Sequence, residues 1–286
     1  MPAREMIALL QRYGLCPQKS LGQNFLVDET ALERVVEAAR IEADQDVLEI
    51  GSGLGSLTRL LAERAGRVVS VELDQHLLEP LAETLRGYSN VQIVQGNILA
   101  LDPSALMSRP GVNTPPVYLV VANIPYYITS ALMRHLLEAR FPPRSLVLTV
   151  QREVAQRICA AQGEMSLLAL SVQVYGNPQI VAHIPAGAFY PPPKVDSAVI
   201  RILLYPTPYI SKQQLPIFFR LAKAGFSQKR KTLRNSLSAG MRWSTVQAEA
   251  QLTAAGIEPM RRAETLSLGE WQQLVETTVR LPPGDH

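Results

Sequence analysis

Short apolar runs alternate with amphipathic stretches through the first half of the chain. Residues 46–51, 67–73, 91–97, 117–123 and 145–151 are rich in Val, Ile and Leu and are bounded by turn residues, which predicts strands. Between them, 56–66 and 74–87 carry apolar residues at helical spacing and close on Gly66 and Gly87, read as C-caps. Another helix is predicted over 29–40, with Thr30 and Glu33 at capping-box spacing. Parallel strands need crossover helices, and this alternation supplies them. The pattern predicts a doubly wound α/β sheet covered on both faces.

Further along, the periodicity changes. Residues 153–176 read as one long helix, and 178–185 and 196–204 alternate as strands that could add antiparallel to the sheet edge. Residues 205–216 carry three prolines and are expected to be a linker. Beyond it, 217–237, 244–256 and 267–279 read as helices. The expected division is therefore 1–206, an α/β domain with an N-terminal extension over 1–40, and 207–286, a small helical domain.

Composition narrows the class. A chain of 286 residues with 47% hydrophobic and 19% charged residues is a folded globular protein, not a disordered one. No apolar run approaches the roughly 18 residues of a membrane span. The N-terminal apolar stretch is short and lacks a small-residue cleavage site, so a cytoplasmic location is expected. Cys16 and Cys159 lie far apart, and His76, His135, His183 and His286 have no ligand spacing; neither a disulfide framework nor a metal is expected. A monomer is the simplest expectation. The net charge of +3 is unevenly spread: from Ser197 to Ala248 nine Lys and Arg occur without one acid. Such a segment suits a polyanion.

Candidate chemistry gathers at the predicted strand ends. Gly51, Gly53 and Gly55 follow the first strand, where an open α/β sheet binds its ligand. Ser56 stands where a dinucleotide fingerprint has its last glycine. Glu72 ends the next strand, placed to accept both hydroxyls of a ribose. Together they favour an adenosine-containing cofactor, with NAD and S-adenosyl-L-methionine both open. Asn97, ending the third strand, could meet an adenine edge or close a turn. The fourth strand ends in Asn123-Ile124-Pro125-Tyr126. Proline restrains Ile124, so the Asn123 amide oxygen and the Ile124 carbonyl can converge on an exocyclic amine. Tyr126 adds a stacking face worth about 1–3 kcal/mol per base. The same pattern serves a sulfonium methyl transfer to adenine N6, which needs alignment and hydrogen bonding more than a base or metal.

The runs KSLGQNFLVDE, VLEIGSGLGSLT, VELD, ANIPYYIT, QREVAQRI, AFYPPPKVDSAV and FSQKRKTLRNSL occur in one order. In this the chain resembles the KsgA/Dim-type ribosomal RNA adenine dimethyltransferases, from Lys19 through the C-terminal helices. The resemblance implies a Rossmann-like class I methyltransferase fold and S-adenosyl-L-methionine as cofactor. It also implies N6-dimethylation of two adjacent adenosines near the 3′ end of 16S rRNA in an immature small subunit. It assigns Asn24, Leu26, Gly51, Gly53, Glu72, Asn97 and Asn123 to the cofactor, and Asn123 with Ile124 to the target amine. Tyr126 and Phe189 would sandwich the target adenine. Asn97 stands where the family has Asp. Lys229, Arg230, Lys231 and Arg234 would meet phosphates, with Phe226 anchoring their helix. A large-subunit rRNA adenine methyltransferase and a non-catalytic RNA-binding assembly factor are the competing readings; a dehydrogenase is more distant.

Overall fold

The computed structural model describes residues 2–281; His286 and the end of the second expected domain lie outside them. In chain order the elements are α1 (Ala3–Arg12), β1 (Phe25–Leu26), α2 (Glu29–Ala39), β2 (Asp46–Ile50), α3 (Ser56–Ala62), β3 (Arg67–Glu72), α4 (Leu78–Thr84), β4 (Val91–Gln95), α5 (Pro103–Met107) and β5 (Tyr118–Asn123). There follow α6 (Thr129–Leu137), β6 (Ser145–Gln151), α7 (Arg152–Ile158), α8 (Leu167–Gln173), β7 (Gly176–Ile184), β8 (Phe189–Tyr190), β9 (Ser197–Leu204), α9 (Leu215–Phe226), α10 (Leu233–Met241), α11 (Thr245–Ala254) and α12 (Leu268–Arg280).

Seven strands form one sheet in the order β4-β3-β2-β5-β6-β9-β7. β2 through β6 are parallel where they pair, and β9 runs antiparallel to β6. From β2 the chain winds outward to β3 and β4, then returns to lay β5 on the other side of β2. Loops leaving β2 and β5 therefore part in opposite directions and open a crevice at their C-terminal ends. The inner strands read as almost unbroken apolar runs because both faces are covered: Val47, Val68, Val121, Val147 and Val199 join α2 and α3 in one core. α1 adds a smaller core, in which Met6, Leu9 and Leu10 meet Phe25, Leu54 and Leu77.

Two compact units result, 1–155 with 178–204, and 156–177 with 205–286. The stretch 156–177, expected in the first domain, belongs to the second. It is also not one helix: α7 and α8 are separated by a loop in which Gly163 takes φ +100° and Ser166 caps α8 through Ala169 N–H. Similarly, 205–216 is not a free linker, since Tyr209 N–H donates to the Val174 carbonyl and Ile210 is buried. The stretch 217–237 breaks into α9 and α10. In this unit Phe226 stacks on the buried Trp271 at 6.0 Å.

Helix ends also differ from expectation. Asp28 caps α2 by accepting Ala31 N–H at 2.7 Å, so Thr30 and Glu33 lie inside the helix rather than forming its box. α3 and α4 end at Ala62 and Thr84, several residues before Gly66 and Gly87. Gly66 instead donates to the Gln45 carbonyl.

Candidate active site

The crevice at the ends of β2, β3 and β5 is an open cleft of about 820 Å³. Asn24, Gly51, Gly53, Glu72, Asn97, Asn123, Ile124 and Tyr126 all line it. A separate, smaller cavity touches Leu26 behind the glycine loop.

The glycines shape the floor. Gly51 and Gly53 take φ +80° and +56°, values that side chains rarely adopt. A Cβ on Gly53 would stand 2.9 Å from the Phe25 ring, so the loop could not close over that residue. Gly53 N–H donates to Glu72 Oε2 at 2.8 Å, and Asp74 N–H donates to Oε1 at 2.9 Å. Glu72 is buried, and burial raises its pKa while these donors oppose the rise. Each carboxylate oxygen retains a further lone pair, the acceptor set that a vicinal diol requires. Asn97 closes a turn and also borders the cleft. Its Oδ1 accepts Leu99 N–H at 3.0 Å as a turn residue, while the side chain lines the cleft.

Asn123 is held by its amino group, which donates to the Asn24 carbonyl at 3.1 Å. That bond fixes the amide plane and leaves Oδ1 as the acceptor. Pro125 sits at φ −57°, and the chain then makes a short 3₁₀ turn over Tyr126–Ile128. Tyr126 is half-buried, with its hydroxyl bonded to buried Ser197 Oγ at 2.7 Å; burial raises its pKa. The ring is thus anchored at its tip, and its hydroxyl stays protonated near neutrality.

Two assigned residues do not reach the cleft. Phe189 is buried in the core, and its backbone in β8 pairs with Leu26 of β1. The Leu26 side chain is likewise core. The two-residue pairing turns both inward, so the structure does not assemble Tyr126 and Phe189 as opposed faces.

Three contributors went unnoticed in the sequence. Asp74 Oδ2 accepts from Gln23 Nε2 at 2.8 Å and Gln18 Nε2 at 3.1 Å, latching the segment before β1 to the cleft wall. Ser197 orients Tyr126. Glu49 is fully buried in β2, accepts from Thr58 at 2.7 Å and from Ser70, and has Oε1 without a partner. Ser70 also bonds Ser52 of the glycine loop. A pair of motif letters signalled the first two, Asp in VELD and Ser in KVDS; an apolar strand hid the third.

Burial pushes Glu49 up to about 7. A folded-state value above the ordinary 4.5 means that the folded chain holds this proton more tightly. The group's stabilisation is present in full below the ordinary value and is lost as pH rises through about 7. Glu49→Gln, neutral at every pH, is expected to gain about 3 kcal/mol over the native chain between pH 5 and pH 8. Urea unfolding at both pH values checks this; an unchanged difference would mean that Glu49 ionises freely.

In the helical unit, Lys229, Arg230 and Lys231 are exposed in the turn joining α9 and α10. Arg234 differs, being half-buried and paired with Glu249 at 3.2 Å. Among the described residues no group of three His, Cys, Asp or Glu could hold a metal ion, and no helix is long and apolar enough to cross a membrane.

A doubly wound sheet with a glycine loop, a buried acid and a strand-end amide at the same crevice defines a Rossmann-like methyltransferase. The solved structure of the 23S rRNA methyltransferase ErmE aligns with a TM-score of 0.71 at 30% identity, over 89% of this chain and 99% of that one. A dimethyladenosine transferase from Plasmodium falciparum shares the fold, with a TM-score of 0.73 at 24% identity over 90% and 98% of the two chains. The chain belongs to the ribosomal RNA adenine dimethylase family, whose model matches residues 16–279. Among curated proteins it is 45% identical to the ribosomal RNA small subunit methyltransferase A of Dehalococcoides mccartyi, strain CBDB1, over 95% of this chain and 91% of that one. It is 43% identical to the protein of that name from Moorella thermoacetica, over 95% and 96%.

Proposed function

We propose that this chain dimethylates N6 of two adjacent adenosines near the 3′ end of 16S rRNA, acting as a cytoplasmic monomer on an immature small subunit. Family membership supports rRNA adenine dimethylation, and the small-subunit relatives at 45% and 43% identity favour that RNA over the large-subunit substrate named for ErmE. The observation that carries the reading is the Asn123 amide, tethered through its nitrogen with its oxygen left to accept.

The residues present suit S-adenosyl-L-methionine. Glu72 would take the ribose hydroxyls, Gly51 and Gly53 would let the backbone approach, and Asn24 and Asn97 would border it. When bound, this cofactor supplies an activated methyl group on a sulfonium. The protein's task is to prepare the nucleophile. Adenine N6 is weakly nucleophilic because its lone pair is delocalised into the ring. Asn123 Oδ1 and the Ile124 carbonyl accept its two protons, which favours a pyramidal nitrogen with a freer lone pair. Tyr126 supports the base from one face and keeps it in line. No strong base is required, since the product ammonium is acidic enough to lose its proton to water.

Incubating the purified chain with labelled methyl donor and unmethylated small subunits, free rRNA or large subunits tests this. Label should appear on two neighbouring adenosines of the small-subunit RNA. Label confined to large-subunit RNA, or none on any adenine, would overturn the proposal.

Asn97 offers a separate check. Its Oδ1 accepts Leu99 N–H and keeps one lone pair for a ligand, while the other end of the amide is a donor. An adenine amine is itself a donor, so the amide's amino group is a mismatch for it. Asn97→Asp keeps the turn and adds an acceptor, so cofactor affinity should rise about fivefold, on the order of 1 kcal/mol. Calorimetry would detect it, and an unchanged dissociation constant would remove residue 97 from the adenine contact.

A further inference from the structure

Away from the cleft, the α/β unit carries a second depression of about 820 Å³ lined by Arg34, Glu37, Arg40, Gln179, Val181 and Arg201. Three guanidinium groups share it. Among the described residues none of the three forms an ion pair, Glu37 notwithstanding. Arg201 Nε is buried without a hydrogen-bond partner. Burial, and after it the charge of Arg40, pull the Arg201 pKa down, so the local field is unfavourable to the cations already there.

The backbone adds to the tension. Arg40 follows the last turn of α2 at φ +50°, ψ +50°, a left-handed position that glycine or asparagine fills at lower cost. Three guanidinium groups lining one depression, with a buried donor on Arg201 to spare, have the charge and donors that suit an anion.

The place relates simply to the active site. Asn123 is opposite Thr149, and Thr149 is opposite Val199; Arg201, two residues on, therefore shares their face of the sheet. That is the face covered by α2, which begins beside the cleft-lining segment and ends at Arg40. Eleven residues of helix separate the two ends by about 16 Å.

We propose that this groove seats a backbone phosphodiester of the same RNA strand whose adenine enters the cleft. The inference rests on the proposed function for the identity of the ligand. Guanidinium groups suit a phosphate because they present paired N–H donors to its oxygens. A phosphate here would set the register of the strand without reading its sequence.

Arg40→Gly in the full-length chain is the informative variant. Glycine suits the left-handed position and removes a like charge, so the variant should melt at a higher temperature than the native chain. RNA binding should move the other way: affinity for unmethylated small-subunit rRNA falls about tenfold near 0.1 M salt, and the slope of log K against log salt loses about one unit. Cofactor affinity should not change. Arg34→Ala, on the exposed face of α2, should reproduce the loss of slope. A native chain that binds RNA, with both variants keeping its affinity and slope, would overturn the groove. Weaker binding at unchanged slope would overturn it too, because no ionic contact would have been lost. A native chain that binds RNA but methylates no adenine would sink the proposed function, while the slopes would still judge the groove. Failure to bind RNA at all would sink both.

Discussion

Asn123→Ala should lower the rate of methyl transfer by about 10²–10³-fold while leaving RNA affinity within about twofold, the scale expected for losing one preorganised acceptor. The amide is tethered through its nitrogen to the Asn24 carbonyl, so its oxygen costs no reorganisation as charge develops on N6. Alanine removes that oxygen and frees the Asn24 carbonyl, but leaves β5 intact, since the side chain lies at the strand's last position. Single-turnover transfer to saturating RNA separates the step from binding. Transfer at the native rate would show that the oxygen plays no part in the reaction. Asn123→Asp is a useful companion: it retains an acceptor but loses the donor that fixes it, so an intermediate rate is expected.

The second large effect is expected at Glu72. Glu72→Ala should weaken S-adenosyl-L-methionine binding about 100-fold, corresponding to charge-assisted bonds worth about 2–3 kcal/mol. It should also loosen the glycine loop, because Gly53 N–H and Asp74 N–H would lose their acceptors. Glu72→Gln preserves one acceptor and the shape, and should fall between the two. The native chain carries a further signature. Burial raises the Glu72 pKa, so the carboxylate is lost on acidification earlier than an ordinary one. Cofactor affinity should therefore fall as pH drops through that raised value. Folding stability from this group changes in the opposite sense, since protonation removes a buried charge. Calorimetric affinity and melting temperature measured across one pH series should diverge. Parallel changes would mean that Glu72 is not the acid responsible.

Much of the α/β unit was legible along the chain, for a physical reason. A parallel strand buried on both faces must be a short apolar run, and the polar turns bounding it must be at its ends. Val117–Asn123 could hardly be anything else, and its final amide had to emerge at the crevice. Elements that depend on partners were less visible. Gly163 and Ser166 interrupt what periodicity reads as one helix, because apolar spacing persists on both sides of the break. β1 and β8 contain two residues each, too few to leave a pattern.

The site divides in the same manner. Glu72 and Asn123 end their strands and Asn97 and Tyr126 lie just beyond theirs, so topology alone brings them to one cleft. Phe189 and Leu26 follow no such rule: the pairing of β1 with β8 turns their side chains into the core. Arg40 and Arg201 are distant in sequence, and nothing in either neighbourhood advertises the other. Local order in the chain thus determined which residues stand at strand ends, because period and turn chemistry act over a few residues. Which of them share a pocket, which acid loses water and which cations face each other were decided by tertiary packing, because desolvation and Coulomb energy depend on distances through space.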